Sequence, residues 1–478
     1  MKKQSSIAPN VKKNKLIFLI LLLVILFSFS RSFDYPLGED SYLTLKIAKE
    51  FLKDPSIIIK DGLSFSSRFN PAFSLSEIFL AIISVLININ VLVIAKIFSI
   101  LISILILILF IIILKELKIE NKISFLSVLL FILSPVFIYL ISTISQNLTP
   151  LLFSILAFYL YLKSKYKALS FILFLFPLVN PLAALIVIIL FIILIISKNK
   201  KQIYLLFPSF LTLIIYFIYL IYLSKFSSYF NPFQKVNSLS LIISDFGFNP
   251  GLSIFLLIAS VYSLIHLWKK FSYSKQLYFA VIFLFILSFF SSFALFLLAP
   301  IASVLAAFGI FNLHNKKWIS GNLKIITITA LMFGIVLSSL TFVFSIETQL
   351  PDKELILSLK YLNENSPEDS VILSDPSRGH WINYFAERKN IADSNTFLAP
   401  QAKERLNDIN EIFQTRDINK FNGIADKYKI NYIFIDSELK KQLWNTDDEG
   451  LQFILKNNPN IVRFYKNDKV EIWKIIKI

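Results

Sequence analysis

Asp34-Tyr35-Pro36-Leu37-Gly38-Glu39-Asp40-Ser41-Tyr42-Leu43-Thr44-Leu45-Lys46-Ile47-Ala48-Lys49-Glu50 stands a few residues after a lysine-flanked apolar run, Leu16 to Phe29, and ahead of a long series of further apolar runs. Asp40 or Ser41 can cap a helix in which Tyr42, Leu45, Lys46 and Lys49 follow at helical spacing. Spacing alone makes Asp40 an N-cap. Its position also makes it a carboxylate at a helix N-terminus beside a membrane surface. Of the 11 acidic residues before position 351, six fall between Asp34 and Asp61, where an enzyme of the outer membrane face would need them.

The 478-residue chain is 56% apolar, 15% aromatic and only 17% charged, with a mean hydropathy of +0.69. A soluble domain carries roughly a quarter charged residues, so a single soluble enzyme is excluded, and so is disorder. The absence of cysteine removes disulfides, thiolate metal sites and thiol nucleophiles. With three histidines, His266, His314 and His380, a metal would sit on oxygen ligands. Residues 1–350 hold 29 Lys+Arg against 11 Asp+Glu, whereas 351–478 hold 19 against 20. The excess positive charge thus comes in small clusters between apolar runs. That pattern is a topology signal and argues against a nucleic-acid partner.

Spans are expected at Leu16–Phe29, Val91–Leu114, Ile123–Ser142, Leu148–Leu162, Ala168–Val179, Pro181–Ile196, Ile203–Leu223, Gly251–Trp268, Gln276–Phe290, Phe293–Leu313 and Leu323–Ser345. The first is read as an uncleaved helix rather than a signal peptide, because further spans follow. The clusters Lys115/Lys118/Lys122, Lys163/Lys165/Lys167, Lys198/Lys200/Lys201, Lys269/Lys270/Lys275 and Lys316/Lys317/Lys324 are placed inside with the N-terminus. This requires about eleven crossings and leaves the C-terminal domain extracytoplasmic. Pro71–Ile87 is apolar, but as a span it would invert every later cluster, so it belongs in the interface or in a re-entrant loop. The expectation is a polytopic α-helical protein of the plasma membrane. Residues 1–349 form the transmembrane domain, with a first external loop at 31–90, and 350–478 form an external α/β domain. The spans have few glycines and no small-xxx-small seam, so helix packing gives no further signal.

A Gly-x-Asp-Ser-Tyr segment that runs into a Leu-x-Ile-Ala helix just after the first span resembles the first external loop of GT-C fold membrane glycosyltransferases. The likeness extends to the archaeal and bacterial catalytic subunit of oligosaccharyltransferase and to polyprenyl-phosphate-sugar transferases. Asn70-Pro71 ahead of an apolar helix, the Asn180-Pro181 break and the charged Lys96 inside Val91–Leu114 are similar to features of that family. So is Asp375-Pro376-Ser377-Arg378-Gly379-His380-Trp381-Ile382, which resembles the Trp-Trp-Asp-Tyr-Gly stretch. Gly379 fits the motif glycine, Asp375 and Pro376 replace its tryptophans, and Ser377 stands where its Asp should be. Gln146, in the turn Thr143–Asn147, stands where metal-using relatives carry acidic residues.

The resemblance implies transfer of a sugar or glycan from a polyprenyl-phosphate-linked donor to an acceptor on the extracytoplasmic face. It implies Asp40 as base or as ligand of a divalent cation (Mg or Mn), with Glu39 able to share the role. Lys96, Arg68 and Arg378 are the candidates for the phosphate, and His380 and Trp381 complete the substrate-binding set. Snorkelling of Lys96, an ion pair at Arg378 and a structural hydrogen bond at His380 are the alternatives the residues themselves allow. A noncatalytic relative that binds lipid-linked sugar and a lipid or solute transporter are the competing functions. The transporter reading lacks inverted repeats and, Lys96 apart, intramembrane ionisable groups.

Overall fold

The structure is a computed structural model that describes residues 35–70, 75–198, 204–224, 242–244, 250–270, 275–346, 350–396, 399–446 and 448–476. The expected first span Leu16–Phe29, Pro71, the lysines Lys200 and Lys201 and most of 224–250 lie outside these residues. Each later apolar run contains a helix: Val91–Glu116, Asn121–Ile132, Pro135–Ser142, Leu148–Leu162, Tyr166–Val179, Pro181–Lys198, Phe207–Ser224, Ile254–Lys270, Lys275–Leu287, Ser292–Asn315 and Gly321–Ser345. A helix satisfies its own backbone, which an apolar solvent demands. Among the described residues, Val91–Glu116, Ser292–Asn315 and Gly321–Ser345 are long and apolar enough to cross a membrane. The pair Asn121–Ile132 and Pro135–Ser142, bent by 56°, brings the number to at most four. The other apolar helices are shorter, so helix length does not carry the expected eleven or so crossings. The bend falls where Pro135 has no N–H to continue the ladder, and Ser134 Oγ accepts from Phe137 N at 3.2 Å to start the new helix. Along Val91–Glu116, Val93, Ile97, Leu101, Leu105 and Ile108 stay exposed in one stripe, a surface suited to hydrocarbon.

The chain divides into two compact units. One holds Lys96–Leu213 and the helices from Ile254 to Ser345; the other holds Leu37–Ala95, a short stretch from Ile214, and the chain from Leu350 on. Most of residues 31–90 group with the C-terminal segment. In the first unit, Ile254–Lys270 lies against Ser292–Asn315 along Ala259, Ser260 and Ser263 facing Ala302 and Gly309. Ser260 Oγ donates to Ala302 O at 2.8 Å, and a Cβ built on Gly309 would meet Ala259 O at 2.2 Å. This seam corrects the expectation of no small-xxx-small seam, since Ala259 and Ser263 stand four residues apart. It combines Ala, Ser and Gly from two helices and so shows no glycine repeat in either.

The second unit opens with helix α1 (Glu39–Lys53), followed by β1 (Lys60–Asp61), β2 (Arg68–Phe69) and helix α2 (Leu75–Ile87). The C-terminal chain forms a five-stranded sheet of β3 (Val371–Leu373), β4 (Lys389–Asn390), β5 (Ile430–Asp436), β6 (Ile461–Lys466) and β7 (Val470–Ile475), in the order β4-β3-β5-β7-β6. β4, β3 and β5 are parallel, while β7 is antiparallel to both β5 and β6. The loop extends this sheet: Ser64 bridges Asn390 in parallel, Phe65 N donates to Asn390 O at 2.9 Å, and Asn390 N donates to Leu63 O at 3.1 Å. Gly309→Ala, which pushes a methyl group onto the Ala259 carbonyl, is expected to lower the stability of the full chain by about 1–3 kcal/mol. Gly321→Ala has nothing within 4 Å of its new Cβ and is expected to leave the thermal midpoint in detergent unchanged.

Candidate active site

α1 begins two or three residues earlier than its sequence suggests. Gly38, at φ 69°, is the N-cap residue and no side chain caps the helix. This corrects the expectation that Asp40 or Ser41 caps it: glycine takes the left-handed φ that starts the helix, and Ser41 Oγ turns back to donate to Leu37 O. Glu39 and Asp40 therefore sit side by side in the first turn, where the helix dipole favours carboxylates. Asp40 is exposed. Desolvation by the surrounding protein raises its pKa above the ordinary carboxylate value, and direct access to water limits that effect. Glu39 is half-buried and accepts from His380 N at 3.0 Å. Burial pushes its pKa up to about 8, helped by the negative charges of Asp393 and Asp40 and opposed by the His380 N–H.

His380 belongs to the turn that leaves β3. The carboxyl ends of parallel strands, at the point where the chain departs to opposite sides, are the usual place for a site in an open α/β sheet. Here β3 leads into 374–386, β4 into Asp393-Ser394-Asn395, and β5 into Asp436-Ser437-Glu438. Asp375 accepts from Ser377 N and Oγ. Arg378 is paired with Asp436 and Glu438 and lies over the Trp381 ring, 5.0 Å from its centroid. Trp381, Tyr384 and Phe385 surround the fully buried Tyr42 of α1, with ring centroids 6.4, 5.4 and 5.2 Å away.

Beneath this turn lies a buried ionic network. Lys46 donates to Asp61 Oδ2 at 2.7 Å and to Asn383 Oδ1 at 2.8 Å. Arg68 donates to Asp61 Oδ2 at 2.7 Å and to Asp393 Oδ1. Asn383 donates in turn to Leu63 O and Arg388 O. Desolvation works against each of these charges, yet the cations hold Asp61 and Asp393 below the usual carboxylate range. His380, with no exposure, has Nδ1 3.6 Å from Asp393 Oδ2. Burial depresses its pKa to about 4 against the pull of Asp393, so the ring is neutral at pH 7.

No family model matches the sequence, and no curated protein matches it. Solved structures are similar to it. The Archaeoglobus fulgidus oligosaccharyltransferase in complex with Zn and sulfate aligns at TM-score 0.59, with 12% identity, over 88% of this chain and 68% of its own. The oligosaccharyltransferase AglB from the same organism, in complex with an inhibitory peptide and a dolichol-phosphate, aligns at 0.58, with 11% identity, over 88% and 70%. The mycobacterial arabinofuranosyltransferase AftD aligns at 0.63, with 11% identity, over 96% of this chain but only 40% of its own. The chain has the GT-C fold. Within that GT-C scaffold, the residues suit a metal poorly. No three His, Asp or Glu side chains converge among the described residues, and the half-buried Gln146 offers an amide in place of a carboxylate.

Glu39, Asp40, Arg68, Arg378, His380 and Trp381 all fall in one compact unit, while the half-buried Lys96 and Gln146 belong to the other. Arg68 is 1% exposed and both its carboxylate partners are buried, so its guanidinium ties the fold together and is spent before a phosphate arrives. Arg378 is likewise engaged by two carboxylates. The network roles of Lys46, Asp61, Asn383 and Asp393 escaped sequence reading. The available signal was Lys46 itself, on the same helical face as Tyr42 and Leu45. Because the folded pKa of His380 is depressed, its contribution to stability is present above its ordinary 6.5 and is lost as pH falls toward about 4. Unfolding free energy across that window should fall more steeply for the wild type than for His380→Gln, by up to about 3 kcal/mol in total, with the thermal midpoint falling in parallel.

Proposed function

We propose that this chain is a membrane glycosyltransferase that moves a sugar or glycan from a polyprenyl-phosphate-linked donor to an acceptor hydroxyl or amide on the extracytoplasmic face. One observation carries the reading: in a GT-C fold, Asp40 presents an exposed carboxylate in the first turn of α1, with no capping role, beside a carboxyl hung on the turn that leaves β3. The dolichol-phosphate held by the archaeal neighbour supports a lipid-phosphate donor. Asp40 takes the acceptor proton as the acceptor atom attacks the anomeric carbon, and the bond from that carbon to the phosphate oxygen breaks, its electron pair leaving with the lipid phosphate. A phosphate is a good leaving group, so no second acid is obligatory. Arg68 and Arg378 are committed to carboxylates. The turn that carries His380 and Trp381 is proposed to face the acceptor. Asp375 and Ser377, which replace the motif residues, bond to each other, which disfavours a peptide sequon as that acceptor.

The donor set among the described residues does not suit a metal, and no step passes through one. In a transfer assay with polyprenyl-phosphate sugars, Asp40→Asn is expected to lose about 10²–10⁴-fold in rate, and wild-type transfer is expected to persist in EDTA. Full transfer by the Asn variant would remove Asp40 as base. A wild type that binds the lipid-linked sugar but never transfers it would favour the noncatalytic relative, the reading that Ser377 and Gln146 support.

A further inference from the structure

Two anchors hold α1. The first is at its start, where His380 N donates to Glu39 Oε1 at 3.0 Å. The second is two turns later, where Lys46 Nζ bonds to Asp61 and Asn383. Seven residues, about 10 Å of helix, separate them, so together they fix both the translation and the rotation of the helix. Rotation matters most. One residue of slip turns a helix by ~100°, enough to swing Asp40 away from whatever it faces.

The amide of His380 is itself held by a close contact. A Cβ on Gly379 would come within 2.4 Å of Asp393 Cβ, 2.5 Å of Ala392 O and 2.5 Å of Asn390 Nδ2. The Gly379–His380 peptide therefore rests directly on Asp393, which Arg68 ties to Asp61, the same carboxylate that receives Lys46. Both anchors of α1 thus converge on one chain of contacts.

We propose that Asp393 is a positioning residue for the Glu39-Asp40 turn: locked by Arg68 and seated against Gly379, it sets the His380 amide on which Glu39 hangs, and so where Asp40 points. The proposal deepens the glycosyltransferase reading and rests on it only for its kinetic consequence. Its structural consequence is that residues 39–45 and 379–386 are held as one body, although over 330 positions separate them.

The test uses the full chain in lipid nanodiscs. By hydrogen exchange, Asp393→Asn is expected to speed exchange at both 39–45 and 379–386 by about tenfold or more. Arg68→Lys keeps the charge but cannot span two carboxylates; it is expected to do the same and serves if the Asn variant fails to fold. In the transfer assay, Asp393→Asn is expected to lower kcat by on the order of tenfold while donor KM stays within about twofold. Added to Glu39→Ala, which already cuts the tether, it is expected to cost less than about twofold more. A residue that only stabilises the fold would give effects that multiply. Unchanged exchange at 39–45 in both variants would overturn the proposal, whether or not the wild type transfers sugar. A wild type without transfer, but with coupled exchange, would overturn the enzyme reading alone.

Discussion

Four buried charges, Lys46, Asp61, Arg68 and Asp393, each no more than 2% exposed, govern the second unit. Taking an ion out of water costs several kcal/mol even after relaxation, so such a group survives only where every charge meets an opposite one. Two cations and two anions do so here, and Asp61 serves both Lys46 and Arg68. His380 stays neutral beside them, which keeps the sum at zero. Removing one partner would leave an unpaired buried charge, a change typically worth about 3–5 kcal/mol. The residues come from α1, the β1–β2 hairpin and the end of β4. The loop and the C-terminal sheet therefore cannot be packed independently: the charges of each are neutralised by the other.

That dependence explains how much of the molecule could be read in advance. The apolar runs and the alternating helices and strands after residue 350 declare themselves by local periodicity, as the apolar stretches of β5, β6 and β7 show. β4 has only two residues and forms because Val371 and Ile372 lie beside it, so its sequence carries no strand signal. Arg68 read as a phosphate ligand because an arginine near a membrane surface has no local reason to be buried. The reason is Asp393, more than 300 positions away. The start of α1 was missed on a smaller scale, since glycine competes with Asp and Ser for the cap and only backbone geometry shows which prevails. In the candidate site, Glu39, Asp40, His380 and Trp381 were legible as residues, while the contacts that place them were not.

The GT-C scaffold alone does not settle chemistry, since a fold hosts many functions and the site decides among them. In this chain the turn after β3 spends its polar groups internally. Asp375 holds Ser377, and Arg378 holds Asp436, which itself caps the helix Ser437–Leu443. These bonds make the turn rigid and leave few free donors for recognising an acceptor by a polar code. Trp381 and Phe385 are likewise buried around Tyr42, so the aromatic rings of the turn also serve the interior.

Glu39 and Asp40 show how one turn of helix gives adjacent carboxyls different tasks. At ~100° per residue, Glu39 meets the His380 amide while Asp40 faces outward to water. Burial raises the proton affinity of the inner group, and the charge of the outer one adds to that rise. The outer group remains accessible to water. Holding that distinction requires α1 to keep its rotation, and its first turn is tied to the Gly379–His380 peptide, with the ionic network beneath it. The cost of burying four charges is thus matched to a geometric need: a single carboxylate, on an otherwise pinned helix end, kept facing solvent.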